Sequence, residues 1–201
     1  MNDDYFKFEP INDEPAQEIP ARPWYAPLLR LIKDVAEAGV MALVLFVLLQ
    51  ATVQNTVVEG QSMEPNLVHG QRLLVNKLAY RLGEPRRGDI VVIDSPRGTA
   101  EKLIKRIVGL PGETIEIRDG HVYINGQVLQ ESYNPTSAIR SYPTSLIPPY
   151  HYFLLGDNRD HSGDSRVWGS ADKGLIVGRA WVSLWPPERW HWFGKLKSSE
   201  N

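Results

Sequence analysis

The order of apolar and polar positions divides the chain into an N-terminal helical stretch and a longer β-rich stretch. From Leu28 to Ala36 the apolar residues recur at helical spacing, and residues 38–58 are 21 positions without a charged side chain. A helix of that length covers about 30 Å, which matches the hydrocarbon core of a bilayer. The pattern predicts a single transmembrane helix over residues 27–54. A buried helix in a globular core is the alternative, because polar residues interrupt the stretch from Gln50 onward.

Beyond this stretch, the apolar residues occur in short runs that are typical of β-strands. The runs are rich in Val, Ile and aromatic residues and are bounded by Gly, Pro or Asp. No second long helical pattern follows them, so the sequence predicts a mainly β domain behind one N-terminal helix. The runs cover residues 73–75, 90–93, 103–108, 152–155 and 175–184.

Residues 114–129 have the clearest local pattern, which predicts a small β-meander. Apolar and polar residues alternate there, and the dipeptides Asp119-Gly120 and Asn125-Gly126 are typical of tight hairpin turns. Residues 131–149 are rich in Ser, Thr, Tyr and Pro, which favours a loop. Meander and loop together predict an insertion over residues 113–149.

The insertion interrupts a main β domain, which we predict to consist of residues 55–112 and 150–193. Residues 194–201 are predicted to be a C-terminal tail. Residues 1–26 are acidic, contain several prolines and lack apolar periodicity, which predicts a disordered N-terminal tail.

The distribution of charge predicts the orientation of the chain in a membrane. The net charge is −2, but residues 1–37 contain 4 basic and 8 acidic side chains against 18 and 16 in the remainder. Arg22, Arg30 and Lys33 precede or begin the predicted span, and no basic residue follows until Arg72. Because basic residues favour the cytoplasmic side, we expect a cytoplasmic N-terminus and a β domain on the extracytoplasmic side of the plasma membrane.

Composition limits the chemistry that the β domain can perform. The absence of cysteine excludes disulfides, thiolate metal sites and cysteine nucleophiles. The five histidines are too dispersed for a zinc motif, and no overall basic field points to a nucleic-acid partner. Any covalent catalysis must therefore use an oxygen or nitrogen nucleophile.

Ser62, in the segment EGQSMEPNL, is a candidate for that nucleophile. Gly60 allows a close approach of the backbone and Pro65 favours a turn, so the Ser62 hydroxyl could lie on a rigid loop. On this segment alone, an ordinary loop serine is the alternative. A serine nucleophile also needs a proton acceptor.

Lys105, in KLIKRIVGLPGE, is the candidate acceptor. Strand alternation places Leu103, Lys105 and Ile107 on one largely apolar face. Burial there would disfavour the ammonium form and lower the pKa of Lys105, so that the neutral amine could act as a general base. The alternative is a lysine at a sheet edge whose ammonium group reaches water.

The segment GDNRDHSGDSRVWG, residues 156–169, places acids, arginines and serines close together. Its spacing does not fit a calcium-binding EF-hand loop. Interleaved opposite charges predict a loop tied by ion pairs, in which Asp164 and Arg166 would fix the position of Ser162.

Taken in order, the stretches GQSMEPNL, RRGDIVVI, KRIVGLPGE and GDNRDHSGDSRVWG resemble the sequence boxes of bacterial type I signal peptidase, the membrane-anchored leader peptidase. The resemblance extends from about Leu28 to Val182. It implies a mostly β catalytic core with a smaller β insertion, a serine endopeptidase activity and no metal or organic cofactor. The implied partners are the signal peptides of secretory preproteins and the lipid bilayer, and the implied functional unit is a monomer.

The resemblance also implies roles for individual residues. Ser62 corresponds to the nucleophile and Lys105 to the general base of a Ser/Lys acyl transfer. Ser162 corresponds to the serine that orients the lysine, and Asp164 and Arg166 to the pair that supports the site. The residues implied to line shallow pockets for the small side chains of an A-x-A cleavage site are Val58, Met63, Leu67 and Ile104.

Three positions depart from the family pattern. Gly60 stands where some members have a serine whose hydroxyl helps to form the oxyanion hole, so the second oxyanion donor is open. Asn66 replaces the usual Thr and His161 a common Asn. An inactive peptide-binding domain and a sibling peptidase with a dedicated substrate remain alternatives, whereas a self-cleaving repressor is disfavoured by the predicted span.

The C-terminal part of the β domain is rich in tryptophan. Trp181 lies in an apolar run and is expected to pack into the β domain. Trp190, Trp192 and Phe193 follow two prolines and have two alternatives, packing against the domain or contact with the headgroup region of a bilayer, where Trp is favoured.

Overall fold

The structure is a computed structural model that describes residues 23–133, 135–136 and 140–193. The chain divides into two compact units with their boundary between Leu45 and Phe46. The predicted tails lie outside the described residues, except for residues 23–26.

The N-terminal helix α1 spans Ala26–Thr52, within one or two residues of the prediction. It ends before Gln54 because Val53 and Gln54 already belong to strand β1. The β-branched side chains of this strand favour an extended backbone, and β1 pairs with β2. Among the described residues, no helix was found that is both long enough and apolar enough to cross a membrane. The long helix is confirmed, and its membrane role stays a prediction.

The rest of the described chain is mainly β, as predicted. All five predicted apolar runs form strands, and the second α-helix, α2, is a single turn over Ser165–Trp168. The strands are β1 Val53–Val57, β2 Arg72–Asn76, β3 Ile90–Asp94, β4 Lys102–Gly109, β5 Thr114–Arg118, β6 His121–Ile124, β7 Gln127–Val128, β8 Tyr142–Leu146, β9 His151–Leu155, β10 Ala171–Asp172, β11 Ile176–Trp185 and β12 His191–Trp192.

The larger of the two sheets has the order β1-β2-β11-β3-β4-β9-β10, and β12 pairs with β11. All its strand pairs are antiparallel. β4 pairs with β3 over residues 102–106 but with β9 only from Arg106 onward. The first half of β4, like β1, therefore has a strand partner on one side only within the described chain.

The smaller sheet has the order β7-β6-β5-β8 and lies in the chain between β4 and β9. The predicted meander is confirmed, since its two turns contain Asp119 and Asn125 at positive φ, each followed by glycine. The predicted loop over residues 131–149 is wrong for Tyr142–Leu146, which forms β8 and pairs with β5. Pro143 hides this strand in the sequence, but an edge strand tolerates proline because one side of its backbone needs no partner.

Three buried clusters stabilise the β domain, and one of them joins the two sheets. The cluster next to Ser62 combines the loop after β1 with residues of β2, β3, β4 and β11. A second joins the inner face of the smaller sheet to Val108, Phe153 and Leu155 of β4 and β9. A third fills the other face of β3, β4 and β9. Because β4 contributes to all three, its backbone is fixed along its length.

Candidate active site

Ser62 lies in the loop between β1 and β2. Met63 and Leu67 anchor this loop, because both side chains are almost completely buried in the cluster beside it and Leu67 N–H donates to Met63 O at 2.8 Å. Asn158 N–H donates to Ser62 O at 3.0 Å, which ties the serine to the loop after β9. Ser62 is itself half-buried, so its hydroxyl is fixed but reachable.

Lys105 projects from β4 to the Ser62 hydroxyl. Its Nζ lies 2.7 Å from Ser62 Oγ, and the lysine is 3% exposed. Burial lowers the pKa of Lys105 to about 8, and the nearby Arg166 adds to this effect, while Asp164 and Asp157 oppose it. A lysine with this pKa is substantially neutral in mildly alkaline solution. The pair can therefore transfer a proton from the hydroxyl to the amine.

Arg106, the next residue in β4, forms a buried ion pair with Asp157. Its Nε lies 2.8 Å from Asp157 Oδ1 and its Nη2 lies 2.6 Å from Oδ2, while Nη1 donates to Gly88 O at 2.9 Å. Asn66 Nδ2 donates to the same carboxylate at 2.9 Å. Protein groups therefore pair with both buried charges. Their hydrogen bonds connect β4, the Ser62 loop and the loop after β9.

Asp164 and Arg166 form a second buried pair in the same loop, with Nε–Oδ1 and Nη2–Oδ2 distances of 2.8 Å. Asp164 Oδ2 also accepts from Gly156 N–H at 3.0 Å, and its Oδ1 accepts from Arg166 N–H at the start of α2. The pair thereby folds residues 156–166 into one closed loop.

Ser162 is brought next to Ser62 by this loop, but it makes no hydrogen bond to Lys105. Its buried Oγ has no hydrogen-bond partner among the described residues. Both serines pack against Gly156: a Cβ at that position would lie 2.3 Å from Ser162 Oγ and 2.4 Å from Ser62 O. Gly156 therefore allows the two serine-bearing loops to approach each other.

Gly60 is exposed, has φ +79° and donates its N–H to His69 Nδ1 at 3.1 Å. No side chain fills the space that a Cβ would occupy there. Gly60 N–H is thus engaged within the loop.

A cleft of about 560 Å³ opens beside Ser62 and Lys105. Its walls are the two strand segments that have a partner on one side only, β1 and the first half of β4. Of the four predicted pocket residues, Ile104 lines the cleft. Val58, Met63 and Leu67 lie in the buried cluster that also contains Ile104, so they support this wall from within.

Sequence reasoning missed three contributors to this arrangement: Arg106 with Asp157, the packing at Gly156, and His69. Arg106 carried a signal, because an arginine on a strand face predicted to be apolar needs a buried acid, and residues 157–164 offer three. Gly156 and His69 carried none, since their partners depend on how distant loops meet.

Comparison with known proteins gives consistent matches. Residues 31–185 match the family described as "Signal peptidase, peptidase S26". The chain is 36% identical over 183 residues to signal peptidase I of Leptolyngbya laminosa, covering 87% of this chain and 89% of that protein. It is 39% identical over 137 residues to probable signal peptidase I-2 of a Synechocystis strain, covering 66% of this chain and 63% of the relative's length. A crystal structure of a signal peptidase I from Enterococcus faecalis is 36% identical, with a TM-score of 0.44 and coverage of 48% of this chain and 97% of that one.

Proposed function

The chain belongs to the signal peptidase family, peptidase S26, and from this membership we propose that it is a serine endopeptidase that removes signal peptides from exported preproteins. Ser62 is the nucleophile and Lys105 the general base. The observation that carries these two roles is the 2.7 Å approach of a buried lysine, whose pKa is lowered to about 8, to the hydroxyl of Ser62.

The reaction is an acyl transfer in two stages. Neutral Lys105 accepts the Ser62 proton while Ser62 Oγ attacks the scissile carbonyl, and Ser62 N–H stabilises the developing oxyanion. Lys105 then gives the proton to the leaving amine. In the second stage, Lys105 activates a water molecule that hydrolyses the acyl-enzyme, which restores the free hydroxyl.

The supporting residues act through position. The Asp164–Arg166 pair holds Gly156, against which Ser62 and Ser162 pack. The role proposed for Ser162, orienting the Lys105 side chain, rests on the resemblance to the family. Gly60 leaves the entrance to the nucleophile free of a side chain. The substrate enters as an extended segment between the free edges of β1 and β4, where backbone groups remain to be paired.

Small residues at the first and third positions before the cut fit this cleft. The wall formed by Ile104 rests on the packed cluster of Val58, Met63 and Leu67, which has no room to move back for a larger side chain. Val58, Met63, Leu67 and Ile104 thereby set the depth of the substrate pockets.

Attachment to the plasma membrane through α1 is part of the proposal. Large apolar side chains along α1 are exposed, for example Met41 at 72% and Leu43 at 62%. Apolar surface of this kind is stabilised by contact with lipid. The basic residues before and at the start of the helix support a cytoplasmic N-terminus and an extracytoplasmic catalytic domain. Because one chain supplies both Ser62 and Lys105, the monomer is the functional unit.

The test is cleavage of a preprotein that carries an A-x-A site by the full chain in detergent, followed by N-terminal sequencing of the product. Ser62→Ala and Lys105→Ala are each expected to lower kcat at least about 1,000-fold, and the double variant no further, because the two groups act as a unit. Ser145→Ala and Lys173→Ala, outside the site, are the matched controls. Wild-type cleavage by either active-site variant would contradict the assignment.

A further inference from the structure

The loop that carries Ser62 is fixed at its base to the larger sheet. Val58 N–H donates to Gln71 O at 2.8 Å, and Gly70 N–H donates to Val58 O at 2.9 Å, so the two ends of the loop are joined. Gln71 is buried, and its Nε2 donates to the buried Ser183 Oγ of β11 at 2.6 Å. The base therefore cannot shift without disturbing the core.

The two limbs above this base are held differently. The limb after Ser62 is anchored by the buried Met63 and Leu67 and by Asn66, whose Nδ2 donates to Asp157 and to Tyr133 O at 2.9 Å. The limb before Ser62, residues 59–61, is exposed. Within the described part of the chain, this limb donates one hydrogen bond, from Gly60 N–H to His69 Nδ1 at 3.1 Å, and its Gln61 O accepts from Glu64 N–H at 3.1 Å. The Glu64 contact lies on the Ser62 side of the limb, so the Gly60–His69 contact is the one that holds its start.

Gly60 is the position where this limb needs a restraint. Its φ of +79° lies in a region that glycine enters and leaves at little cost, and no atom stands near the place of a Cβ to limit the backbone. Rotation at Gly60 would turn the peptide groups between Gly60 and Ser62. The direction of Ser62 N–H, the proposed oxyanion donor, depends on those groups.

We infer that His69 is a positioning residue for catalysis: by accepting the Gly60 N–H, its imidazole fixes the limb before Ser62 and so aims the Ser62 N–H at the developing oxyanion. This inference rests on the proposed function. To accept the hydrogen bond from Gly60 N–H, the Nδ1 atom of His69 must carry no proton. An asparagine side chain can place its Oδ1 at nearly the same distance from the backbone, whereas alanine offers no acceptor.

The experiment compares His69→Ala and His69→Asn with the wild-type full chain in detergent, using a peptide substrate and a peptide aldehyde that mimics the tetrahedral intermediate. His69→Ala is expected to lower kcat about threefold to tenfold, the factor that one net hydrogen bond supplies. KM should stay within about twofold, and aldehyde affinity should fall by the same factor as kcat. His69→Asn should recover most of the lost kcat.

The control is His121→Ala, which removes an exposed ring in the smaller sheet whose Nδ1 lies 2.7 Å from Asp119 O, a carbonyl to which it can only donate. Wild-type kcat and aldehyde affinity in His69→Ala would overturn the inference, as would a loss that His69→Asn does not recover. A wild-type chain that fails to cleave the peptide would instead overturn the proposed function. The aldehyde arm separates positioning from folding, because a purely structural loss would lower the active fraction and leave the affinity of the remaining sites unchanged.

Discussion

As a general base, Lys105 has two requirements: it must be buried, so that its amine is neutral, and its Nζ must reach the Ser62 hydroxyl. Burial lowers its pKa to about 8, so the neutral fraction reaches one half near pH 8 and is nearly complete about one pH unit higher. We expect kcat/KM to rise about tenfold per pH unit below pH 8 and then to level off. Lys105→Arg should be inactive at every pH, because guanidinium stays protonated. A profile centred near pH 6.5 and abolished by changing His161 would point to a histidine base.

The same burial has a cost in stability that can be measured. Between about pH 8 and the usual lysine pKa near 10.4, the unfolded chain binds more protons at this position than the folded chain, so folding becomes more favourable as pH rises through that window. Below pH 8 the buried amine is protonated, and the folded state is destabilised by the full free-energy cost of burying the ammonium group. Lys105→Met should therefore be more stable than wild type at pH 7, by about 1 to 3 kcal/mol, and the difference should disappear above pH 10. Urea unfolding at both pH values tests this, and a gap that does not depend on pH would refute it.

Gly156 is expected to tolerate no side chain. A Cβ there would overlap Ser162 Oγ and Ser62 O, at 2.3 and 2.4 Å, and would push the two loops apart. Gly156→Ala should lower kcat at least about tenfold, because displacement of the nucleophile by a fraction of an ångström is costly. Gly163→Ala is the matched control in the same loop, since no atom lies within 4 Å of its Cβ position. Equal losses in both variants would contradict the packing argument.

Ser62 and Lys105 were candidates from the sequence because each has a local signature: a glycine and a proline around the serine, and branched apolar neighbours around the lysine. Their roles were implied by the resemblance to the signal peptidase family, since each signature alone left an alternative open. The structure then places their functional atoms at hydrogen-bond distance. The contact of Gly60 with His69 has no such signature, because it depends on how the loop closes on itself. Tertiary contacts between loops are set by the fold as a whole and leave no periodic pattern in the sequence.

Strands with a continuous or alternating apolar pattern were predictable, whereas the edge strands β1 and β8 were not. β3 and β4 read as runs of branched apolar residues because both sides of each are covered. β1 and β8 are rich in polar residues, since they lie at sheet edges where backbone pairing rather than side-chain burial stabilises them. Their hydrogen bonds come from the partner strand, which the local sequence does not specify.

The tryptophan rings in and near β12 differ in how far they are exposed. Trp192 packs edge-to-face on Trp181 with ring centroids 5.0 Å apart, whereas Trp190 is 70% exposed and Trp185 is 56% exposed. Trp192 is thus partly a packing residue, and Trp190 and Trp185 are the rings available to a bilayer interface.

We therefore expect Trp190→Ala to weaken binding of a fragment that starts at Thr52, and so keeps β1, to liposomes. Its thermal midpoint should change little. Trp192→Ala should lower the midpoint, because it removes the ring contact with Trp181. Liposome co-sedimentation and the blue shift of Trp emission give the readout, with circular dichroism confirming that the fragment is folded. Equal liposome binding by Trp190→Ala and the parent fragment would leave Trp190 without an interfacial role.

The strand order of the larger sheet depends on pairing between strands that are far apart in the chain. β11, near the C-terminus, lies between β2 and β3 and so joins the serine loop to the lysine-bearing side of the sheet. The resemblance to the signal peptidase family implies a β core with a smaller β insertion, but neither the resemblance nor the pattern of apolar residues predicts this strand order. Long-range antiparallel pairing of this kind leaves each strand with the same local signature whichever partner it has.

The proposed function includes attachment of the full chain to a membrane through α1. α1 carries exposed apolar side chains along its length, and the described helix does not satisfy the criteria for a span, so attachment and crossing must be tested separately. We expect the full chain to stay with membranes in alkaline carbonate and the fragment from Thr52 to be released, because only the former has the apolar helix. Protease added outside spheroplasts should then leave an epitope before Arg22 intact if the N-terminus is cytoplasmic. Carbonate release of the full chain would refute attachment through α1, and digestion of the epitope would refute the predicted crossing.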